Sequence, residues 1–458
     1  MAGKILEAME IKRLSNGPKH HFFGFHDLKI TNHDDDKILA LAVDIINRPP
    51  LPGELADVGY LNEDRQYVKV GTTNAYNYPQ GARMQWMSDT DFFVVNNQVG
   101  NDWGADIYDT ISGKHYRKLD RSIHCLSADA KKGYSINYSR LFRLGVYGYI
   151  GVEDYFKNEI APKKDGVFVQ DIESGKYELL ISTNEVANYK SLVSIDKGFH
   201  HYLTHLCLNP SSNRIAFLHR YRIQDGGETT RLMSVDVDGK NLKCIAFGSL
   251  SHFDWMDDET IVIHGSLGGA VDRFRNSKLL ANPIIGTSVR LAKNSFRGLI
   301  NVIRKSNSVA KDYAFISVKD IDDSQGVPFG RGIVFTDGHP MFNPKNRNWM
   351  SNDTYPIVDG IRELMLIDVK NNIRHDLGAF KMIYEENDFK LYKEYTQGVD
   401  EKILKLFSLK DYSFTRSGLH CDLHPRWNSK GDTVYFDSIH EGTRQLYAIN
   451  VGNIINGQ

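Results

Sequence analysis

A short phrase, histidine or aspartate set among aromatic and apolar residues, returns with different lettering at least five times along this chain. It reads HFFGFHD at His21 to Asp27, HYLTHLCLNP at His201 to Pro210, SHFDW at Ser251 to Trp255, DGHPMFNP at Asp337 to Pro344 and HCDLHPRW at His420 to Trp427. Self-similarity with a period of roughly 40 to 50 residues marks an architecture whose units cannot bury their faces alone and must stack on one another. Such a unit in an all-β chain is a propeller blade. Blades aim their innermost strands at one funnel, so histidines far apart in sequence can converge there.

The strand pairs support this reading. RLMSVDVDGKNLKCI (Arg231 to Ile245), GVFVQDIESGKYELLI (Gly166 to Ile181), ELMLIDVKNNIRHDL (Glu363 to Leu377) and DIYDTISGKHYRKL (Asp106 to Leu119) alternate apolar and polar residues around Asp-Gly, Ser-Gly or Asn-Asn turns. That is the pattern of an outer hairpin. The expected fold is all-β: a single seven-bladed β-propeller with blades near 20–70, 71–120, 121–187, 198–247, 248–330, 336–380 and 416–453. The sequence leaves open whether the segment Ile5 to Leu14, which could complete the final blade as an outer strand, closes the ring.

Two segments break the rhythm. Lys381 to Phe407 is charged and lacks a clean period. From Arg273 to Lys311 there are nine Lys or Arg and no acidic residue, with Val289, Ala292, Phe296, Leu299 and Ile303 on one helical face. This basic helical insertion in the fifth blade is either a helix packed on the flank with a solvated basic side or a peripheral contact for an anionic surface.

Composition sets the remaining bounds. The formal net charge of -1 lacks the basic surplus of a nucleic-acid binder, so no such partner is expected. Four cysteines without CxxC spacing point to reduced thiols. The first fifteen residues carry no continuous apolar stretch of the secretory kind, and no run of about 18 uncharged apolar residues occurs. A cytoplasmic protein with no transmembrane segment is expected. No Gly-rich phosphate loop or nucleophile elbow is present.

Alternate residues of a strand share a face, so His420, Asp422 and His424 are expected to point together, with His339 delivered from the preceding blade. Imidazoles and a carboxylate on one face suit a divalent metal such as manganese, iron or zinc. The alternative is a set of hydrogen bonds between neighbouring inner strands. His201, His205, His219, Arg140, Arg220 and Arg426 gather on inner strands or their rims and could grip the hydroxyls and carboxylates of a sugar, arginine through its planar fork.

From Gly198 to Val451 the residues resemble the oligogalacturonate lyases, manganese-dependent seven-bladed propellers that act on pectin fragments. Ser-His-Phe-Asp-Trp looks like that family's segment with the proton-abstracting histidine, which implies this role for His252. Gly-His-Pro-Met-Phe-Asn-Pro resembles the segment of its first metal histidine, implying His339. Of the family's His-Pro-His-Pro pair the second histidine and its proline survive as His424 and Pro425, while Asp422 stands in place of the first histidine. No glutamine stands where the family has one, and His420 lies one position from that place. Arg231 matches a substrate-binding arginine, implying a clamp on the sugar carboxylate.

The resemblance implies a lyase that cleaves a uronic-acid-containing oligosaccharide or polysaccharide by metal-assisted β-elimination. Residue types suit that chemistry, since a charged group must neutralise the sugar carboxylate while a neutral imidazole takes the adjacent proton. Two further readings stand beside it. One is a non-catalytic TolB-like propeller that binds a protein or glycan. The other is a glycoside hydrolase drawing its carboxylate pair from Asp27, Asp254, Asp353 and Asp422.

Overall fold

The computed structural model describes residues 9–145, 147–191, 199–222, 228–269, 272–273, 276, 288, 312–383 and 414–457. The expected basic helical insertion at 273–311 and the charged stretch from Lys381 to Phe407 lie, but for a few positions, outside the described residues. The chain divides into two compact units, one of Met1–Asp154, Val169–Glu178 and Gly338–Gln458, the other of Tyr155–Phe168 and Leu179–Asp337.

The first unit is built of antiparallel sheets of four strands in simple meander order. Strand β1 (Ile11–Arg13) precedes the sheet β2 (His20–Phe22), β3 (Ile38–Val43), β4 (Ala56–Leu61) and β5 (Tyr67–Thr73), and the sheet β6 (Gln85–Trp86), β7 (Phe92–Val99), β8 (Asp102–Asp109) and β9 (Lys114–Leu119) follows. Strands β10 (Cys125–Leu126) and β11 (Lys132–Ser135) pair next, with Cys125 opposite Tyr134. Helix α1 (Tyr138–Leu144) is capped by Asn137, whose side chain accepts from the Arg140 amide. Strands β12 (Gly166–Asp171) and β13 (Tyr177–Ser182) follow.

The second unit holds one sheet of seven strands: β14 (His201–Leu208), β15 (Arg214–Arg222), β16 (Glu228–Asp236), β17 (Lys243–Trp255), β18 (Thr260–Leu267), β19 (Phe315–Lys319) and β20 (Val327–Phe329). Two blades were expected over this range. They are continuous because β17, 13 residues long, pairs with β16 through its first half and with β18 through its second. The register shifts between Leu250 and Phe253, a bulge that lets one strand serve both partners. At the two ends of the β15–β16 ladder Arg214 faces Asp236 and Arg222 faces Glu228, opposite charges that fix the register.

The chain then returns to the first unit with β21 (Met341–Phe342), β22 (Trp349–Asp353), β23 (Ile361–Asp368) and β24 (Ile373–Lys381), followed by β25 (Arg426–Trp427), β26 (Thr433–Ser438) and β27 (Gln445–Asn450). Strand β1 completes this last sheet, with Ile11 opposite Ile449 and Arg13 opposite Tyr447. Ser15 Oγ donates to Gln445 Oε1 at 2.5 Å and the Leu14 amide to the Leu446 carbonyl at 2.8 Å, so the two ends of the sequence close one sheet.

Apolar patterning explains which strands lie deepest. The run ILALAV of β3 is buried throughout, as a central strand covered on both faces requires, whereas the outer β5 (YVKVGTT) is mostly half-exposed. In the second unit Leu218, Leu232, Ile245, Trp255, Ile261, Ile263 and Val318 form a buried core.

The four hairpins read from the sequence turn where their turn residues stand, and Gly113, Gly175, Gly239 and Asn372 all adopt positive φ. Gly239 is constrained twice, by φ of +83° and by the Leu180 carbonyl, 2.6 Å from where a β-carbon would sit. Gly239→Ala is expected to cost about 1–3 kcal/mol, read as a lower urea midpoint with an unchanged slope.

Among the described residues no helix is long and apolar enough to cross a membrane, and the four cysteines form no disulfide.

Candidate functional site

In the first unit His339, Asp422 and His424 come together. One ligand atom from each lies within 4.8 Å of the others, and all three side chains are buried. None of them sits in regular strand. His339 precedes β21, and residues 421–425 form an irregular loop leading into β25. The strand alternation expected for His420, Asp422 and His424 therefore does not operate. His424 instead takes φ of 45°, a left-handed conformation that turns its ring across that of His339, with centroids 4.2 Å apart at 86°.

A fourth residue holds the arrangement. Asp353, fully buried at the end of β22, accepts from the His339 amide at 2.8 Å, from His339 Nδ1 at 2.7 Å and from the His424 amide at 3.0 Å. A carboxylate receiving Nδ1–H fixes the imidazole tautomer and leaves Nε2 as the nitrogen that carries the lone pair, as behind a metal-ligating histidine. Gly338 is required beside it, because a β-carbon there would lie 1.9 Å from the Asp353 carbonyl.

The two oxygens of Asp422 face different ways. Oδ1 lies 2.6 Å from Arg362 Nη1, off the line of a hydrogen bond, and 3.2 Å from His420 Nε2; Oδ2 is 3.9 Å from His424 Nε2. Burial opposes ionisation of Asp422, but the Arg362 guanidinium, followed by His420 and His339, outweighs it and holds the carboxyl well below the usual range. Burial, reinforced by His339, pushes His424 well below the ordinary imidazole range. An ionised carboxylate and a neutral imidazole are the forms that bind a cation. His424 Nδ1 is buried without a hydrogen-bond partner among the described residues.

This donor set fits a divalent metal ion. His339, Asp422 and His424 would hold it, while Asp353 and Arg362 support the ligands from behind. His420, expected as a further ligand, braces Asp422 Oδ1 and lies 3.3 Å from Arg362 Nη2 instead. Phe25 and His26, from the first of the repeated phrases, flank the group: the His26 ring is 5.3 Å from that of His339, and the Phe25 ring 5.1 Å from that of His424.

The second unit holds His252 on β17. Its Nδ1 pairs with Asp337 Oδ1 at 3.0 Å. Asp254, on the same strand, accepts from the Trp255 amide at 2.8 Å. His264 on β18 also reaches Asp337 Oδ1, at 3.1 Å. His205, at a shift of register in β14 with φ of 57°, places its ring 6.1 Å from that of His252.

The remaining expected sugar-binding residues divide by burial. Arg220 is partly exposed, 3.6 Å from Glu228 Oε1 and 3.4 Å from the Leu250 carbonyl. His201 Nδ1 and His219 Nε2 bond to each other at 2.9 Å with both rings buried, and burial, then His201 and Arg231, lowers His219 well below the ordinary range. Three arginines are corrected to internal roles. Arg231, only 3% exposed, donates to the Val186 and Tyr189 carbonyls, so its guanidinium is not presented as a clamp. Arg426 is bound by Asp437 at 2.8 Å and the Gly24 carbonyl at 2.8 Å, and Arg140 lies 3.5 Å from Asp154. An extended sequence pattern shows an arginine's place on a strand but not which carbonyls its fork will meet.

No protein-family model and no curated protein matches the sequence. Solved structures do. An oligogalacturonate lyase from Vibrio parahaemolyticus superimposes with a TM-score of 0.55 at 13% identity, over 97% of this chain and 94% of that one. An oligogalacturonate lyase in complex with manganese gives 0.57 at 12% identity, over 96% and 93%. TolB from Acinetobacter baumannii is more distant, at 0.36 and 11% over 76% and 64%. At their identities the likeness to the two lyase structures establishes the fold alone, an all-β propeller.

Proposed function

We propose that this chain is a seven-bladed propeller acting as a lyase on a uronic-acid-containing oligosaccharide or polysaccharide, by metal-assisted β-elimination. The observation that carries the reading is the buried His339, Asp422 and His424 group with Asp353 set behind it. Its likeness in fold to an oligogalacturonate lyase in complex with manganese supports a lyase-like function and a divalent ion.

β-Elimination removes the proton beside a sugar carboxylate, which is too weakly acidic for an unaided base. A divalent ion held by His339, Asp422 and His424, manganese being apt for a mixed imidazole and carboxylate set, would supply positive charge toward the carboxylate as negative charge develops on it. His252 takes the proton, as a neutral imidazole in the tautomer with Nδ1–H on Asp337 and the lone pair on Nε2. Arg220, rather than the enclosed Arg231, has the exposure to bind a carboxylate or hydroxyl of the sugar, and its contact with the Leu250 carbonyl places it beside the strand that carries His252.

Hydrolysis is less well supported. It needs two carboxyl groups at liberty, whereas Asp27 is held by both terminal nitrogens of Arg83 at 2.7 and 2.9 Å, Asp353 by two histidines, and Asp422 by Arg362.

The test is a panel of acidic polysaccharides and their oligosaccharides, incubated with manganese-loaded protein and followed by ultraviolet absorbance of the unsaturated product. Absorbance should rise without consumption of water. His252→Ala is expected to lower turnover by about 10²–10⁴-fold with metal content and melting temperature unchanged. Absence of an unsaturated product across the panel would leave a binding propeller as the better reading.

A further inference from the structure

Asp337 is shared. Its Oδ1 meets His252 Nδ1 at 3.0 Å and His264 Nδ1 at 3.1 Å, while its Oδ2 accepts from Ser251 Oγ at 3.0 Å. Ser251 Oγ is also 2.7 Å from His264 Nδ1. Two adjacent strands, β17 and β18, thus bring three side chains to one carboxylate, and the whole group lies within the second unit. The burial is graded: His252 is 6% exposed, Asp337 24% and His264 26%.

This arrangement differs from a nucleophile triad. There the hydroxyl bonds to the imidazole nitrogen remote from the carboxylate; here Ser251 approaches the same Nδ1 that faces Asp337, so the serine belongs to the carboxylate's setting and gains no activation. The function of the group lies with the imidazoles. A carboxylate that accepts Nδ1–H from a histidine determines which nitrogen is basic and which way the ring points. Because His264 and Ser251 occupy the same carboxylate, Asp337 cannot rotate to follow His252, and its negative charge is divided among several donors instead of being concentrated on one ring. Among the described residues, charged and titratable groups near His252 include Asp337, His264 and His205, with Arg220 on the carbonyl of Leu250.

We propose that Asp337 is the positioning residue for His252, holding it in the Nδ1–H tautomer with Nε2 directed to substrate, and that His264 and Ser251 form the brace that keeps Asp337 in place. This rests on His252 being the proton acceptor of the proposed lyase. In that step the carbon–hydrogen proton moves to Nε2, its electron pair becomes the new carbon–carbon double bond, and the glycosidic carbon–oxygen bond breaks with its pair leaving on oxygen. The leaving oxygen takes a proton from water or from the imidazolium. Throughout, Nδ1–H stays on Asp337, which stabilises the transient cation.

The experiment has two arms on the full-length, manganese-loaded protein. Nitrogen-15 NMR of labelled wild-type protein, with His252→Asn to assign the resonance, should find neutral His252 in the Nδ1–H form; an Nε2–H form overturns the proposal without recourse to activity. Asp337→Asn should redistribute that tautomer and lower kcat by at least about 10²-fold, with KM within about threefold and metal content unchanged. Where Asp337→Asn disturbs folding, Asp337→Ser serves the same comparison, and His264→Gln should cost only about tenfold because the bond from His252 survives. Wild-type kcat in Asp337→Asn refutes the positioning role and leaves the lyase reading intact. A redistributed tautomer in a protein whose wild type yields no unsaturated product sustains the anchor and removes the lyase.

Discussion

Asp353→Ala is expected to weaken manganese binding by about 10–100-fold although Asp353 is not one of the residues that would hold the ion. Its carboxylate is the common acceptor for the His339 amide, His339 Nδ1 and the His424 amide, and it is fully buried. Removing it frees the His339 ring to take the other tautomer, in which Nε2 carries a proton and cannot ligate. It also releases the backbone at His424, whose left-handed φ of 45° needs support from its surroundings. Each buried donor left without an acceptor costs about 1–3 kcal/mol, so the variant should also unfold at lower urea. Asp353→Asn sharpens the comparison, since it keeps the volume but offers one acceptor oxygen where two are in use. Calorimetric titration with manganese checks the affinity, with His339→Ala as the reference for loss of a ligand. An Asp353→Ala protein that binds manganese like the wild type would show that His339 needs no partner behind it.

How much of this was legible in the residues depends on whether the interaction is local. The hairpins were, because Asp-Gly, Ser-Gly and Asn-Asn turns carry their own conformational preference and the flanking alternation needs no distant partner. His339, Asp422 and His424 were also legible, since each stands within a repeated phrase, although none of them lies in strand. Their supports were not. Asp353 and Arg362 act on residues 14 and 60 positions away in the chain, and His264 belongs to no repeated phrase at all. Asp337 stood within one, but its tie to His252 spans 85 positions of the chain. Strand alternation misled at His420, Asp422 and His424 through a departure from regular pleating, the left-handed turn at His424. Burial misled for arginine. Arg231 and Arg426 lie on strands as expected, yet backbone carbonyls and a buried aspartate claim their guanidinium groups.

The second large effect is expected at Asp437, fully buried on β26. Its Oδ1 accepts from Arg426 Nη1 at 2.8 Å and its Oδ2 from Arg444 Nη2 at 3.3 Å, and neither arginine side chain is more than 1% exposed. Two cations thus share one anion. The surplus is absorbed by the Gly24, Gly418 and Tyr78 carbonyls and by the faces of Phe23 and Phe22, each 4.9 Å from a guanidinium carbon. Asp437→Ala leaves both guanidinium groups buried without their counter-ion, and the expected loss is about 3–5 kcal/mol. Asp437→Asn, which keeps the shape and removes the charge, should cost nearly as much; a loss under about 1 kcal/mol would mean that carbonyls and rings alone suffice. Urea denaturation with and without manganese then ties this pair to the site. An ion that binds only the folded chain adds about 2.7 kcal/mol at a hundred times its Kd. Asp437→Asn, with His339, Asp422 and His424 untouched, should recover by that amount, whereas Asp353→Ala at the same manganese concentration should recover little. Equal recovery in both variants would again mean that His339 needs no partner behind it, and equal recovery in His339→Ala as well would place the ion elsewhere in the protein.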